Sequence, residues 1–373
     1  MHFNISFPEV FWQNIYGQIS STPSPRKDRD LGYFRAIRNI KQIEWLFLLL
    51  TGASPSFDRS FRIRERDRLK ILKDTLVGLH STSLRMSDFG YRSTAQSNLK
   101  INCNNLPNYC SALLNATTTP WAPYEAIGSG YPSLYKQLST SLLQIENEYY
   151  SGIRPKCNHS SEERPIEALS KRGVEYLEIR FVDLNPFSDT GIEPITMALL
   201  TLLITRCAIL KNNKLTIKQE EEAISKSIRA SWCGRDDNFS LRKEGKQILE
   251  ELDELAIALD KSHDTKLYSM ALASAKNQLD GLDSLPSDDI FERVTTTSHL
   301  EFGVDLAIQY HNKRAESLIP KESRETFEKE ALESIDAQKK LEENSIGPFS
   351  DYIASYMSPE NNSKRSTKPI NRD

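Results

Sequence analysis

No two cysteines of this chain stand in a CxxC spacing, and the five present (Cys103, Cys110, Cys157, Cys207 and Cys233) are an odd number. A zinc ribbon and a disulfide framework are thereby set aside, and reduced thiols in a cytoplasmic setting are expected. No Walker loop, GxGxxG, GxSxG or HExxH sequence occurs, which closes the common motif routes to nucleotide, dinucleotide, acyl and zinc-protease chemistry. An excess of positive charge is missing as well. The 48 basic side chains face 51 acidic ones, so no global field points to nucleic acid or to an anionic membrane. Long hydrophobic runs are also lacking. The longest, residues 195–210, is too short to span a bilayer and contains Arg206, so it reads as a buried helix with Pro194 at its first position. Residues 1–11 show no basic region followed by an apolar run, so no secretory signal is expected there.

What is present is a set of polar residues on strand-like faces. Over residues 172–188, RGVEYLEIRFVDLNPFS, alternation puts Tyr176, Glu178, Arg180 and Val182 on one face and Leu177, Ile179 and Phe181 on the other. An apolar back would anchor this strand in a core. Its front would hold a carboxylate and a guanidinium side by side, the arrangement that sets a metal ligand next to a phosphate-binding cation. A cross-strand ion pair on a solvated sheet face has the same pattern. His2, Asn4 and Ser6 alternate with Phe3, Ile5 and Phe7 in a first strand that Pro8 closes. A second alternating segment, residues 139–150, sets Gln144, Glu146, Glu148 and Tyr150 on a shared face.

Between these lie a polar loop at 17–29 and a helix over 31–50 that ends at the turn signal TGASP. Phe34, Ile37, Ile40 and Trp45 would form the helix face, with Arg35 and Arg38 paired to acids at a helix–sheet junction. Residues 56–73 read as a loop or a short exposed helix, 81–98 as a polar loop, and 154–164 as a surface loop. Beyond residue 210, Ile248, Leu252, Leu255 and Leu259 make an amphipathic stripe. Residues 323–341 form a charge-rich helix with Phe327, Leu332 and Ile335 on its apolar side and Ser323 as N-cap. The division expected is a mixed sheet-and-helix core over 1–212, a helical portion over 213–357 and a disordered tail over 358–373.

Three further candidates stand on loops or strand ends. In TSLRMSDFGY, Arg85 is placed to fork onto a small carboxylate while Tyr91 walls a pocket; an ordinary turn with Asp88 capping locally fits the same residues. In QIENEYYSGIRPK, Tyr150 is placed to pack on a ligand and Arg154 and Lys156 to meet phosphate, or else Tyr150 is core and the cations are solvated. His2 is either a metal ligand on a polar strand face or a structural histidine.

In order and spacing these stretches resemble the proteobacterial glutamate–cysteine ligase family. The matching residues are HFNISFPEVFWQ, GYFRAIRN, LTGASPSF, TSLRMSDFGYRSTAQSNL, LLQIENEYYSGIRPK and GVEYLEIRFVDLNPFSDTG, across residues 1 to about 210. The resemblance implies an α+β fold: a glutamine-synthetase-like curved antiparallel sheet whose concave face forms the site, surrounded by helices. It implies ATP-dependent joining of the γ-carboxylate of L-glutamate to the amine of L-cysteine through γ-glutamyl phosphate, the first step of glutathione synthesis, in a cytoplasmic monomer. Carried over by motif, Glu178 and His2 resemble ligands of Mg2+, and Arg180 the cation that stabilises the transferring phosphoryl group. Arg85 resembles the substrate-binding arginine, Tyr91 and Tyr150 the tyrosines of the cysteine pocket, and Lys156 joins Arg180 toward ATP. Family members carry a further segment before the strand that matches residues 2–7, with closely spaced glutamates that supply most magnesium ligands. With no counterpart here, the expectation is a fragment, a misplaced start or a decaying gene, with an incomplete sheet. The rival expectations are a non-catalytic remnant that binds nucleotide or a partner, a ligase for another amine, and a helical interaction protein.

Overall fold

The computed structural model describes residues 1–373 apart from 17–23, 62–66, 91–92, 98, 129, 132–133, 161–162, 213, 318, 345–346 and 358–373. Tyr91 and the tail expected to be disordered thus lie outside the described residues. The first part of the chain interleaves short strands with helices: β1 (Phe3–Ile5), α1 (Glu9–Tyr16), α2 (Pro25–Thr51), β2 (Ser56–Asp58), β3 (Lys70–Leu72), β4 (Thr75–Val77), α3 (Leu106–Thr118), α4 (Ala122–Ile127), β5 (Gly130–Tyr131), β6 (Leu134–Tyr135), β7 (Ile153–Lys156), α5 (Pro165–Arg172), β8 (Tyr176–Ile179) and α6 (Pro194–Ile209). Helices follow: α7 (Ile217–Cys233), α8 (Arg242–Glu250), α9 (Asp253–His263), α10 (Leu267–Asp280), α11 (Pro286–Thr296), α12 (His299–Glu316), α13 (Lys321–Asn344) and α14 (Phe349–Met357). The class is α+β, as the resemblance implies.

Helix α2 is the axis of the core. It starts earlier than the expected residue 31, because Ser24 takes an extended N-cap conformation and Pro25 has the fixed φ that suits a first helical turn. It ends where the Gly52 N–H bonds back to Leu48 O. From Tyr33 to Leu50 most of its side chains are buried, Trp45, Leu46, Phe47 and Leu49 fully so, because α1, α3, α6, α7 and β7 cover it on several sides. A Cβ on Gly32 would stand 2.3 Å from Trp12 Cε3, so the glycine is what lets α1 lie against this helix. The apolar run becomes α6, with Leu200, Leu202, Leu203 and Ile204 sealed from solvent.

The strand that carries the site pairs on both sides, in the antiparallel order β1-β8-β7. Register places Asn4 and Arg154 opposite Glu178, and Phe3 and Ile153 opposite Ile179. Directly opposed residues share a face, so the back face is Phe3, Ile5, Ile153, Leu177 and Ile179, packed into the main core. Two smaller antiparallel sheets, β2-β4-β3 and β5-β6, lie apart from it.

Several local expectations are corrected. Residues 153–156 are a strand and not part of a surface loop. Pro155 is tolerated there because β7 is an edge strand of the sheet among the described residues, with no second ladder needing its missing N–H. Residues 56–58 and 70–72 are strands too short for alternation to show. The alternating 139–150 segment is bends and a 3-10 turn at Glu146–Glu148. Its carboxylates serve other ends: Glu148 accepts from the Gln144 N–H at 2.7 Å, and Glu146 pairs with Arg164. Arg38 hydrogen-bonds the Asn104 carbonyl and the Asn212 side chain. Ser323 lies inside α13 and not at its cap, and Phe327, Leu332 and Ile335 on that helix remain exposed.

Candidate active site

The polar face of the three-stranded sheet is built by alternation. With Leu177 and Ile179 turned into the core, Glu178 faces forward, and Arg154 of β7 stands beside it across the ladder. Glu178 is buried, 7 % exposed, and gathers charge around it. Arg180 Nη1 donates to Oε1 at 2.9 Å, Lys156 Nζ lies 3.7 Å from Oε2, and His2 Nδ1 lies 3.8 Å from the same oxygen. Sequence reasoning thus brings together four of its candidates (Glu178, Arg180, Lys156 and His2) at one carboxylate. Arg154, named with Lys156 as a candidate for phosphate, joins them across the ladder. Among the described residues its buried Nε has no hydrogen-bond partner, and neither has that of Arg180.

The electrostatics follow from this crowding. Burial works to raise the Glu178 carboxyl, but the Arg180 hydrogen bond and the charges of Lys156, Arg180 and His2 outweigh it and hold the group below its ordinary value. Burial, then the adjacent Arg180, lowers the Arg154 guanidinium. Burial, then Arg180, also lowers His2, against the pull of Glu178. A carboxyl whose folded value is depressed stabilises the fold above the unfolded value, and that contribution is lost as pH falls through the folded value. Urea midpoints measured on acidification should therefore fall through and below the ordinary carboxylate range, with a shallower fall in Glu178→Gln. An identical acid limb in the variant would contradict this assignment.

Arg85 approaches from the loop after β4. Its guanidinium makes four hydrogen bonds: Nε to Asp183 Oδ1 at 2.6 Å, Nη1 and Nη2 to Arg180 O at 3.2 Å each, and Nη2 to Val182 O at 3.1 Å. Asp183, 5 % exposed, completes the tie by accepting from the Ala53 N–H and the Ser54 hydroxyl. Sequence reasoning missed Asp183, which lies past the end of the strand where alternation no longer assigns a face. Tyr150 stands next to this clamp. The Arg180 guanidinium carbon lies 5.7 Å from its ring centre, and its hydroxyl contacts Met86 Sδ at 3.9 Å. Arg85, Met86 and Tyr150 also line the mouth of a cleft of about 370 Å³ that runs between the 85–101 loop, α2 and α7.

A face with three cations around one carboxylate suits a phosphorylated ligand better than a bare metal ion. Among the described residues no group of three or more His, Cys, Asp or Glu side chains is arranged to hold a metal. A magnesium ion commonly takes one or two carboxylates plus substrate phosphates and water. Glu178 stands on this face with the His2 imidazole beside it.

The family model for glutamate-cysteine ligase matches residues 1–230. This chain belongs to the glutamate–cysteine ligase family. It is 33% identical to a glutamate–cysteine ligase of Pseudomonas entomophila over 371 residues, covering 96% of this chain and 70% of the relative. It is 34% identical to one from Alcanivorax borkumensis, covering 96% of this chain and 71% of the relative. The crystal structure of a Francisella tularensis glutamate–cysteine ligase in complex with AMP superposes with a TM-score of 0.86 at 28% identity, over 98% of this chain and 72% of the other. A bifunctional glutathione synthetase from Pasteurella multocida shares the fold at a TM-score of 0.62 and 16% identity, over 84% of this chain and 36% of the other. Among the described residues, no helix of this family member is long and apolar enough to cross a membrane.

Proposed function

We propose that this chain is the catalytic polypeptide of an ATP-dependent carboxylate–amine ligase acting on L-glutamate and L-cysteine. The observation that carries the reading is the convergence of Arg180, Arg154, Lys156 and His2 on Glu178, on the sheet face of a member of this family. A γ-carboxylate oxygen of glutamate attacks the γ-phosphorus of ATP and ADP departs. The cysteine amine then attacks the acyl carbon, loses a proton, and phosphate leaves with the C–O bond electrons. Arg180 and Lys156 neutralise the transferring phosphoryl group, a planar fork and a point charge respectively. Arg85, held by Asp183, and Tyr150 orient the amino-acid substrates, and by its motif Tyr91 shares that role. Magnesium, held by Glu178 and His2 with the nucleotide phosphates, would supply further charge neutralisation. The setting is a cytoplasmic monomer.

The test is γ-glutamylcysteine formation from glutamate, cysteine and MgATP, followed with ADP release. Stoichiometric product and ADP support the reading; ADP release unaffected by either amino acid would sink it. One observation favours a second reading, nucleotide binding without turnover: among the described residues the face offers a single carboxylate, already compensated by cations. Saturable ATP binding with no product would select it.

A further inference from the structure

Gln96, late in the loop that carries Arg85, makes two hydrogen bonds to the segment that carries Tyr150. Its Oε1 accepts from the Tyr150 N–H at 2.9 Å, and its Nε2 donates to the Glu148 carbonyl at 2.8 Å. One amide thus meets the two backbone groups that flank Tyr149 on a single edge, as a neighbouring strand would. The backbone at residue 149 has φ −59° and ψ 114°, at the border of the extended region, where successive side chains point in different directions. Tyr149 is accordingly packed in the main core. Tyr150 faces the site, its ring centre 5.7 Å from the Arg180 guanidinium carbon.

The far end of this segment is fixed by the site itself. Gly152 O accepts the Arg180 N–H at 2.8 Å, and β7, with Arg154 and Lys156, begins one residue later. Gln96 fixes the near end from a different part of the chain. It is itself seated in a 3-10 turn, Thr94–Gln96, where its N–H donates to Ser93 O and its carbonyl accepts from the Leu99 N–H, each at 3.0 Å. The loop that supplies it also supplies Arg85, tied to Asp183, and Met86, whose Sδ lies 3.9 Å from the Tyr150 hydroxyl. A glutamine suits this place because one planar group offers both an acceptor and a donor. A carboxylate offers acceptors alone, and an alkyl chain offers neither.

We propose that Gln96 is a positioning residue for the cysteine side of the site, acting through the backbone of residues 148–150 to hold the Tyr150 ring against the bound amino acid. The inference rests on the reading that Tyr150 lines the pocket for cysteine. The Gln96 amide is committed to that backbone and not to Arg180 or Lys156, so its loss falls on cysteine and leaves nucleotide binding as it is.

The experiment is isothermal titration of the full chain with the β,γ-imido analogue of ATP and Mg2+, and then, with that analogue and L-glutamate present, with L-cysteine. Gln96→Met keeps the length of the side chain and removes both hydrogen bonds. Cysteine should bind it roughly tenfold more weakly than wild type, while the ATP analogue binds within about twofold. Gln96→Glu keeps an acceptor for the Tyr150 N–H and loses the donor to the Glu148 carbonyl. It should also weaken cysteine and spare the analogue, and it decides the matter if Gln96→Met loses its far-UV circular dichroism. Equal losses for cysteine and the analogue would mean a general structural role and overturn the inference, as would unchanged cysteine binding in the variants of a wild type that binds it. A wild type that binds no cysteine would overturn the reading of Tyr150 and the inference with it.

Discussion

Arg180→Ala is expected to slow γ-glutamylcysteine formation by roughly 10²–10³-fold, the usual cost of removing one preorganised charge-stabilising donor. The loss should fall mainly on kcat, because the charge on the transferring phosphoryl group is largest in the transition state. Arg180 is placed for this by two unrelated constraints. Its backbone N–H bonds Gly152 O at 2.8 Å, which continues the ladder past the end of β8, and its Nη1 is held by Glu178 at 2.9 Å. Arg180→Lys should recover only part of the rate, since an ammonium keeps the charge and loses the fork. The steady-state rates of the two variants, with circular dichroism as the check on folding, make the measurement. A twofold effect in Arg180→Ala would remove this residue from the phosphoryl-transfer role.

Glu146→Ala should lower the unfolding free energy by about 3–5 kcal/mol, because it strands a buried guanidinium. Glu146 and Arg164 are 5 % and 7 % exposed, joined by Nη2–Oε2 at 2.9 Å and Nε–Oε1 at 3.2 Å. The same carboxylate accepts from the Ile166 N–H at 3.4 Å in the first turn of α5, where a negative group is favoured by the helix dipole. The double variant Glu146→Leu with Arg164→Met removes both charges together and should regain much of the loss, as apolar replacement of a buried pair commonly does. Urea denaturation of the wild type, single and double variants provides the comparison. A double variant as unstable as Glu146→Ala would mean that the pair contributes through its packing and the α5 contact, not through charge compensation.

The parts of the fold that were legible in the sequence are those where one side chain's direction determines its neighbours. Alternation over residues 176–181 is obeyed: Leu177, Ile179 and Phe181 are fully buried, and Glu178 and Arg180 meet on the other face. Val182, assigned to the polar face, is instead 1 % exposed; it lies past the end of β8 at Ile179, where strand alternation no longer fixes the facing. Alternation misled over 139–150 for a related reason. Period-two polarity there reflects carboxylates that cap a turn and pair with Arg164, and no strand forms. The site's polar face was readable as a set of residue types, but its assembly depends on β1 meeting β8, well over a hundred residues later in the chain, and on β7 pairing the other side of β8, all set by register. The Arg85–Asp183 tie and the hold of Gln96 on residues 148–150 are long-range meetings of this kind, with no local periodicity to announce them.

The loop that presents Arg85 rests on Trp232, whose indole N–H is hydrogen-bonded to Asp88 while Arg68 stacks 3.8 Å above its ring and Phe89 packs edge-on at 5.1 Å. Trp12 and Trp45 are sealed in the core, and Trp121 sits more than a hundred residues away at the start of α4. The chain therefore has its own optical gauge. An indole held between a carboxylate and a guanidinium changes its emission when either charge moves, so any shift of Asp88 or Arg68 on ligand binding can be followed by tryptophan fluorescence with no label attached.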